Sequence, residues 1–260
     1  MSALHLSRTL TATSLISVLL ITTGCVVNIP ASHADSLDHH QQQLTLNRAQ
    51  MDTLVAETGA GKLKVQGAQV EQITLVADIY KTENVDVDLS LKSHGDEARL
   101  VAKIDRPLLS MSSDSSYIDV TLKVPADMAL EIEDGSGSID IEKMVGQIDI
   151  KDGSGSIDIH GGKDITINDG SGSITVEHAM GNVNVADGSG GIEIEHVKGN
   201  VSVNDGSGSI VIEHIAGMVS INDGSGSIEV AHTQGLTIGS DGSGSVDFEH
   251  INGPVSMNKD

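Results

Sequence analysis

The sequence predicts an all-β chain whose main part is a parallel β-solenoid of about 18 residues per coil, preceded by a less regular β region. Three observations point there. The hexamer Asp134-Gly-Ser-Gly-Ser-Ile139 occurs seven times, starting at Asp134, Asp152, Asp169, Asp187, Asp205, Asp223 and Asp241. The spacings of 18, 17, 18, 18, 18 and 18 residues leave almost no drift, as expected when each coil buries one face against the next. Aromatic residues make up only 1% of the 260, so the core must be built from Ile, Val and Leu, which suits narrow stacked coils. Only Gly191 and Val246 vary the hexamer.

Charge narrows the function classes. The net charge is −22, and the region from Asp134 onward holds 20 of the 37 acids against five Lys and no Arg. Nucleic-acid binders need clustered Lys and Arg on the phosphate backbone, so that class is excluded. Charge this one-sided favours solubility and attracts cations. A single cysteine, Cys25, rules out an intrachain disulfide.

Taken in order, residues 1–24 read as an export signal, with Arg8 ahead of an apolar run from Leu15 to Ile21 broken only by Ser17. Gly24 directly before Cys25 resembles the bacterial lipoprotein lipobox, with Thr22 standing where that motif prefers an aliphatic residue. The resemblance implies that Cys25 is lipidated as the first mature residue. Val26 in place of an aspartate then implies the outer membrane, on its periplasmic or surface face. Such a chain is anchored to a membrane and does not span it. Residues 25–43 are polar, with Pro30 and several histidines, and read as a lipidated tether.

Residues 44–133 alternate in the β manner without a strict repeat, as in Gln72–Ile79, Val85–Leu91 and Tyr117–Val124. Glu57-Thr-Gly-Ala-Gly-Lys-Leu-Lys-Val65 is a worn copy of the hexamer and its strand, so the solenoid starts early with irregular coils. The run from Tyr117 through Val124-Pro125 and Leu130-Glu-Ile-Glu133 into the first hexamer is similar to a bacterial β-strand-repeat family of unknown function, often labelled putative adhesin. The resemblance covers roughly residues 44–260 and implies an exported β-solenoid. It supplies no catalytic residues.

Residues 134–260 form the regular solenoid, and Asp205–Asn222 serves as its model coil. Asp205-Gly-Ser-Gly-Ser209 is a turn in which the Asp carboxylate accepts backbone N–H bonds two residues on. Ile210 and Ile212 point inward, His214–Gly217 makes the second corner, and Val219 and Ile221 point inward again. About four aliphatic residues per coil result. In the sixth coil, Leu236 and Ile238 fall in the outward phase, which predicts a local bulge. In the last, Phe248 and Pro254 would blunt an open edge.

Equal periods place outer residues in rows. One row reads Asp140, Asp158, Thr175, Glu193, Val211, Glu229, Asp247, and a second Glu142, Glu177, Glu195, Glu213, Ala231, Glu249. A third follows with Lys143, His178, His196, His214, His232 and His250. The opposite face carries Asp149, Thr166, Asn184, Ser202, Ser220, Ile238 and Ser256 and is nearly neutral. Imidazoles about 4.8 Å apart, most beside a Glu, are candidate ligands for Zn²⁺, Cu²⁺ or Ni²⁺, with His178, His196, His214, His232, His250, Glu177, Glu195, Glu213 and Glu249 as the candidate set. The competing account is a row of solvated corner residues copied with the repeat. Calcium-binding β-rolls place Asp after the glycines, whereas here it precedes them, so these aspartates fit turn-forming better than Ca²⁺ ligation.

These readings favour a non-catalytic, lipid-anchored envelope protein that presents a rigid acidic surface to an envelope protein or glycan, with no cofactor. Divalent-metal binding along the His/Glu rows is the alternative. A β-helical polysaccharide-acting enzyme is a remote third, because it would need aromatic sugar platforms and non-repeating acids in a cleft.

Overall fold

A computed structural model describes residues 37–83, 85–105 and 115–258. The export signal, Cys25 and most of the expected tether lie outside the described residues. Every regular element described is a strand. The irregular half contributes β1 (Asp38–Asn47), β2 (Thr53–Thr58), β3 (Leu63–Ala68), β4 (Gln72–Lys81), β5 (Asp86–His94), β6 (Glu97–Asp105), β7 (Tyr117–Pro125) and β8 (Ala129–Asp134). The first regular coils hold β9 (Gly137–Met144), β10 (Ile148–Asp152), β11 (Gly155–Gly161), β12 (Ile165–Asp169), β13 (Gly172–Glu177), β14 (Val183–Asp187) and β15 (Gly190–Glu195). The remainder hold β16 (Val201–Asp205), β17 (Gly208–Glu213), β18 (Val219–Asp223), β19 (Ser225–Thr233), β20 (Leu236–Ser240), β21 (Ser243–Ile251) and β22 (Val255–Met257).

These strands make two 11-stranded sheets. From β8 onward each coil gives one strand to each sheet, and all pairings are parallel. The Gly-Ser corner carries the chain from the second sheet to the first, and the histidine corner carries it back. Register is residue for residue, with Ile192 against Ile210 and Val201 against Val219. The predicted parallel solenoid is therefore the observed fold.

Close stacking dictates the glycines. Gly208 has φ +155, and a Cβ there would fall on the carbonyl oxygen of Gly190 in the preceding coil. Only glycine allows that backbone approach. The core is larger per coil than the alternation predicts. Ile210, Ile212, Val219 and Ile221 are buried as expected, but Ile215 at the corner is buried too, as are its equivalents Ala179 and Val197. The left-handed corner residue before each of these turns the chain, so its successor faces inward. Each buried aliphatic side chain contributes roughly 1.5–3 kcal/mol, and the contributions accumulate only through stacking.

The irregular half is part of the same solenoid, but its coils do not stack in chain order. β2 and β3 lie between the coil of β8 and β9 on one side and that of β6 and β7 on the other. The chain reaches that outer coil through β4 and β5, which pair antiparallel with β7 and β6. The worn hexamer sits where it was expected: Thr58 occupies the Asp position and donates its hydroxyl to Asp134 Oδ1 at 2.5 Å. Gly61 has positive φ, like the second glycines of the first six hexamers, Gly137 to Gly226. β1 pairs antiparallel with β4 and begins at Asp38, so residues 38–43 of the expected tether belong to the fold. The ring of His39 stacks on Tyr80 at 4.5 Å, and Tyr80 stacks on Tyr117 at 4.6 Å.

The sixth coil contains the expected bulge, at Gly239, and corrects the facing of the residues before it. Leu236 and Ile238 face inward, paired with Val219 and Ile221, and Thr237 faces out beside Ser220. The corner before them is one residue shorter than in the fifth coil, and the register shifts by one just past Ile238, at Gly239. A deletion and an insertion cancel, so the 18-residue count conceals both. The outer row on this face therefore carries Thr237 where Ile238 was expected. At the far end, Phe248 pairs in register with inward-facing Val230 yet stays 43% exposed. Pro254 precedes β22 and is not part of it.

Candidate functional site

The first sheet's outer face carries the predicted rows in register. Asp140, Asp158, Thr175, Glu193, Val211, Glu229 and Asp247 pair successively along it. Lys64 begins the row, with its Nζ 3.1 Å from Asp140 and 2.9 Å from Glu142. Lys62 Nζ also lies 3.3 Å from Asp140; beyond these two lysines the row runs through one sign of charge, broken by Thr175 and Val211.

The second row contains a residue that its period concealed. His160 pairs with Glu142 on one side and Glu177 on the other, so it fills the gap left by the short coil. Its ring heads the histidine column, 4.7 Å from that of His178 and tilted by 41°. From His178 to His250 the rings repeat at 4.6–4.9 Å with interplanar angles of 3–10°. All five predicted histidines therefore come together, and His160 makes six. The signal that could have found it was the one-residue deficit in His160-Gly-Gly-Lys163, which moves the histidine one place earlier than in its neighbours.

Backbone conformation explains part of the column. His178, His196, His214, His232 and His250 have φ of 54–60°, as does Lys143 at 58°. This left-handed corner tolerates His better than most side chains but still costs of order 1–3 kcal/mol per non-glycine residue. The carboxylates follow: Glu195, Glu213 and Glu249 approach the Nδ1 of His196, His214 and His250 at 3.5, 3.7 and 3.5 Å. His232 has Ala231 in the place of a glutamate. From His178 onward the rings stand in stacked, near-parallel planes. Among the described residues, only at the tilted first step do three such groups come together: His160, Glu177 and His178 each offer a ligand atom, and all lie within 4.8 Å of one another.

An inner row went unrecognised in the sequence. The hexamer aspartates were read as turn-formers, and four of the seven make the expected bond: Ser171, Ser189, Ser207 and Ser225 donate their N–H to Oδ1 of Asp169, Asp187, Asp205 and Asp223 at 3.0–3.3 Å. The same carboxyls close the inward phase of each strand and are buried, with exposures of 2–7% from Asp134 to Asp223. The second oxygen of each lacks a hydrogen-bond partner, and in Asp152 both do. Burial therefore pushes all six carboxyls up. Asp152 rises furthest, to about 6, through burial first and then the neighbouring carboxylates of Asp134 and Asp169.

At the opposite corner a polar ladder fixes the coils. Asp164 Oδ1 accepts the Asn182 N–H at 2.9 Å, Asn182 accepts from Asn200 at 2.9 Å, and Asn200 accepts from Met218 at 2.8 Å.

Fold and rows together define a two-sheet parallel β-solenoid that displays in-register lines of ionisable side chains. No protein-family model matches the chain, and no curated protein does. Solved structures do. A putative adhesin from Bacteroides fragilis is 12% identical, with 84% of this chain and 97% of that one covered at a TM-score of 0.43. A putative lipid binding protein from Parabacteroides distasonis is 16% identical over the same shares, also at a TM-score of 0.43. A putative cell adhesion protein from Clostridium sporogenes is 11% identical, with 85% and 99% covered and a TM-score of 0.31.

Proposed function

We propose that the protein is a non-catalytic, exported envelope protein, lipid-anchored through Cys25 at the outer membrane, whose rigid solenoid presents an acidic face to a cationic surface of an envelope protein or glycan. One observation carries this reading. Asp158, Glu193, Glu229 and Asp247 stand in one straight register along the first sheet. A line of like charges on a stiff support steers oppositely charged partners and loses strength in salt.

Two measurements test it. Radiolabelled palmitate should enter the wild type and fractionate with the outer membrane; equal labelling of Cys25→Ala removes the anchor. Purified protein should bind immobilised envelope preparations in a salt-sensitive manner, and the triple variant Asp158→Asn, Glu193→Gln, Glu229→Gln should bind less. Equal binding by that variant removes the acidic face from the reading.

A second reading, divalent-metal binding on the His/Glu rows, is favoured by the head of the column, where ligand atoms of His160, Glu177 and His178 lie within 4.8 Å of one another.

A further inference from the structure

We infer that one transition-metal ion binds at the first step of the histidine column, held by His160, Glu177 and His178, and that the parallel run beyond it provides no equivalent site. This narrows the metal reading to one place and is independent of the envelope display. The corner conformation accounts for histidine at the five later positions, because those residues have positive φ. It does not account for His160, which lies within the extended strand β11 at the position its neighbours give to glutamate. A histidine at that position brings a second imidazole to Glu177.

The geometry is close to that of a chelate. His160 Nδ1 lies 3.1 Å from Glu177 Oε2, and His178 Nδ1 lies 3.8 Å from the same oxygen. Metal–ligand bonds of about 2.0–2.1 Å in a tetrahedral site separate ligand atoms by about 3.4 Å, so the three groups need only small side-chain rotations. Side-chain exposures of 54%, 40% and 54% leave them free to make those rotations. Without an ion the His160 Nδ1–Glu177 Oε2 contact is a hydrogen bond; with the ring proton moved to Nε2, each Nδ1 offers its lone pair to the metal. Gly161 and Gly162, at φ 105° and 101°, form the short corner that follows His160. Two imidazoles and one carboxylate suit Zn²⁺, Cu²⁺ or Ni²⁺ and not Ca²⁺ or Mg²⁺, and the exposed side is open to water as a fourth ligand.

Titration calorimetry of the purified full chain with ZnCl₂ and with CuCl₂ tests this. One ion per chain is expected. His160→Gln and Glu177→Gln should each weaken binding roughly tenfold or more, whereas His214→Gln, in the parallel run, should leave it unchanged. Electron paramagnetic resonance of the Cu²⁺ form should show two coupled nitrogens in the wild type and one in His160→Gln. Unaltered affinity in both His160→Gln and Glu177→Gln, equal weakening by His214→Gln, or no binding at all overturns the inference. Far-UV circular dichroism checks that the strands remain; should His160→Gln lose them, Glu177→Gln and the nitrogen count of the wild type decide.

Discussion

Asp152 shows how a turn sequence can place an unpaired carboxyl in the core. Its carboxyl faces inward between two others, with no hydrogen-bond partner on either oxygen. Its pKa is raised from 3.8 to about 6 by burial and those neighbours. The folded state therefore binds the proton more tightly than the unfolded chain. The resulting destabilisation is complete above about 6 and is relieved as pH falls toward 3.8. Asp152→Asn keeps the shape and removes the charge, so it should stabilise the protein at pH 7.5 by on the order of 1–3 kcal/mol. Its advantage over the wild type should shrink as pH is lowered from 7 to 4. Urea unfolding of both proteins across that range checks the sign; a constant difference would rule out the buried charge as its source. The hexamer made the turn role legible, because Asp before Gly is a turn signal. The inward direction of the carboxyl was not legible, because alternation in a strand does not announce where it stops at a corner.

At the scale of the element, β20 shows that a preserved repeat length does not preserve side-chain phase. Leu236 and Ile238 are buried at 0% and 1% although counting from the hexamer puts them outside. Packing decides: two aliphatic side chains placed in water would forfeit several kcal/mol, whereas a bulge at Gly239 costs little where no side chain has to be accommodated. Ile238→Ala should therefore cost about 2–5 kcal/mol, and Thr237→Ala only about 0.5 kcal/mol or less. Chemical denaturation of the two variants distinguishes the phases, since the outward assignment predicts the reverse order. The short second coil follows the same rule. There a missing residue moves histidine from a left-handed corner into a strand, and the metal inference depends on that shift.

Across the whole molecule, stability is a sum over neighbours, because each coil touches chiefly the coils beside it. The antiparallel strands β1, β4 and β5 cover one end, and β1 presents an edge rich in Gln and His. The other end, around Phe248, Val255 and Met257, leaves apolar side chains exposed. A net charge of −22, with acids aligned along one face, opposes compaction by self-repulsion. Salt should screen it: raising NaCl from about 0.01 M to 0.15 M shortens the Debye length from about 30 Å to about 8 Å, and thermal stability should rise. A melting temperature that falls or stays level over that range would mean that the rows are already neutralised by bound ions or internal partners.

The repeat by itself determined the coil, its length, its parallel stacking and the outer rows, because each follows from a fixed period combined with strand alternation. It also marked residues 57–65 as a worn coil. Only the tertiary structure decided three things: the insertion of β2 and β3 between later coils, the burial of the hexamer carboxyls, and the entry of His160 into the imidazole column. The physical reason is common to all three. Period counts positions along the chain, whereas stacking is settled by which backbone lies alongside which, and one residue gained or lost at a corner changes that partner without changing the composition.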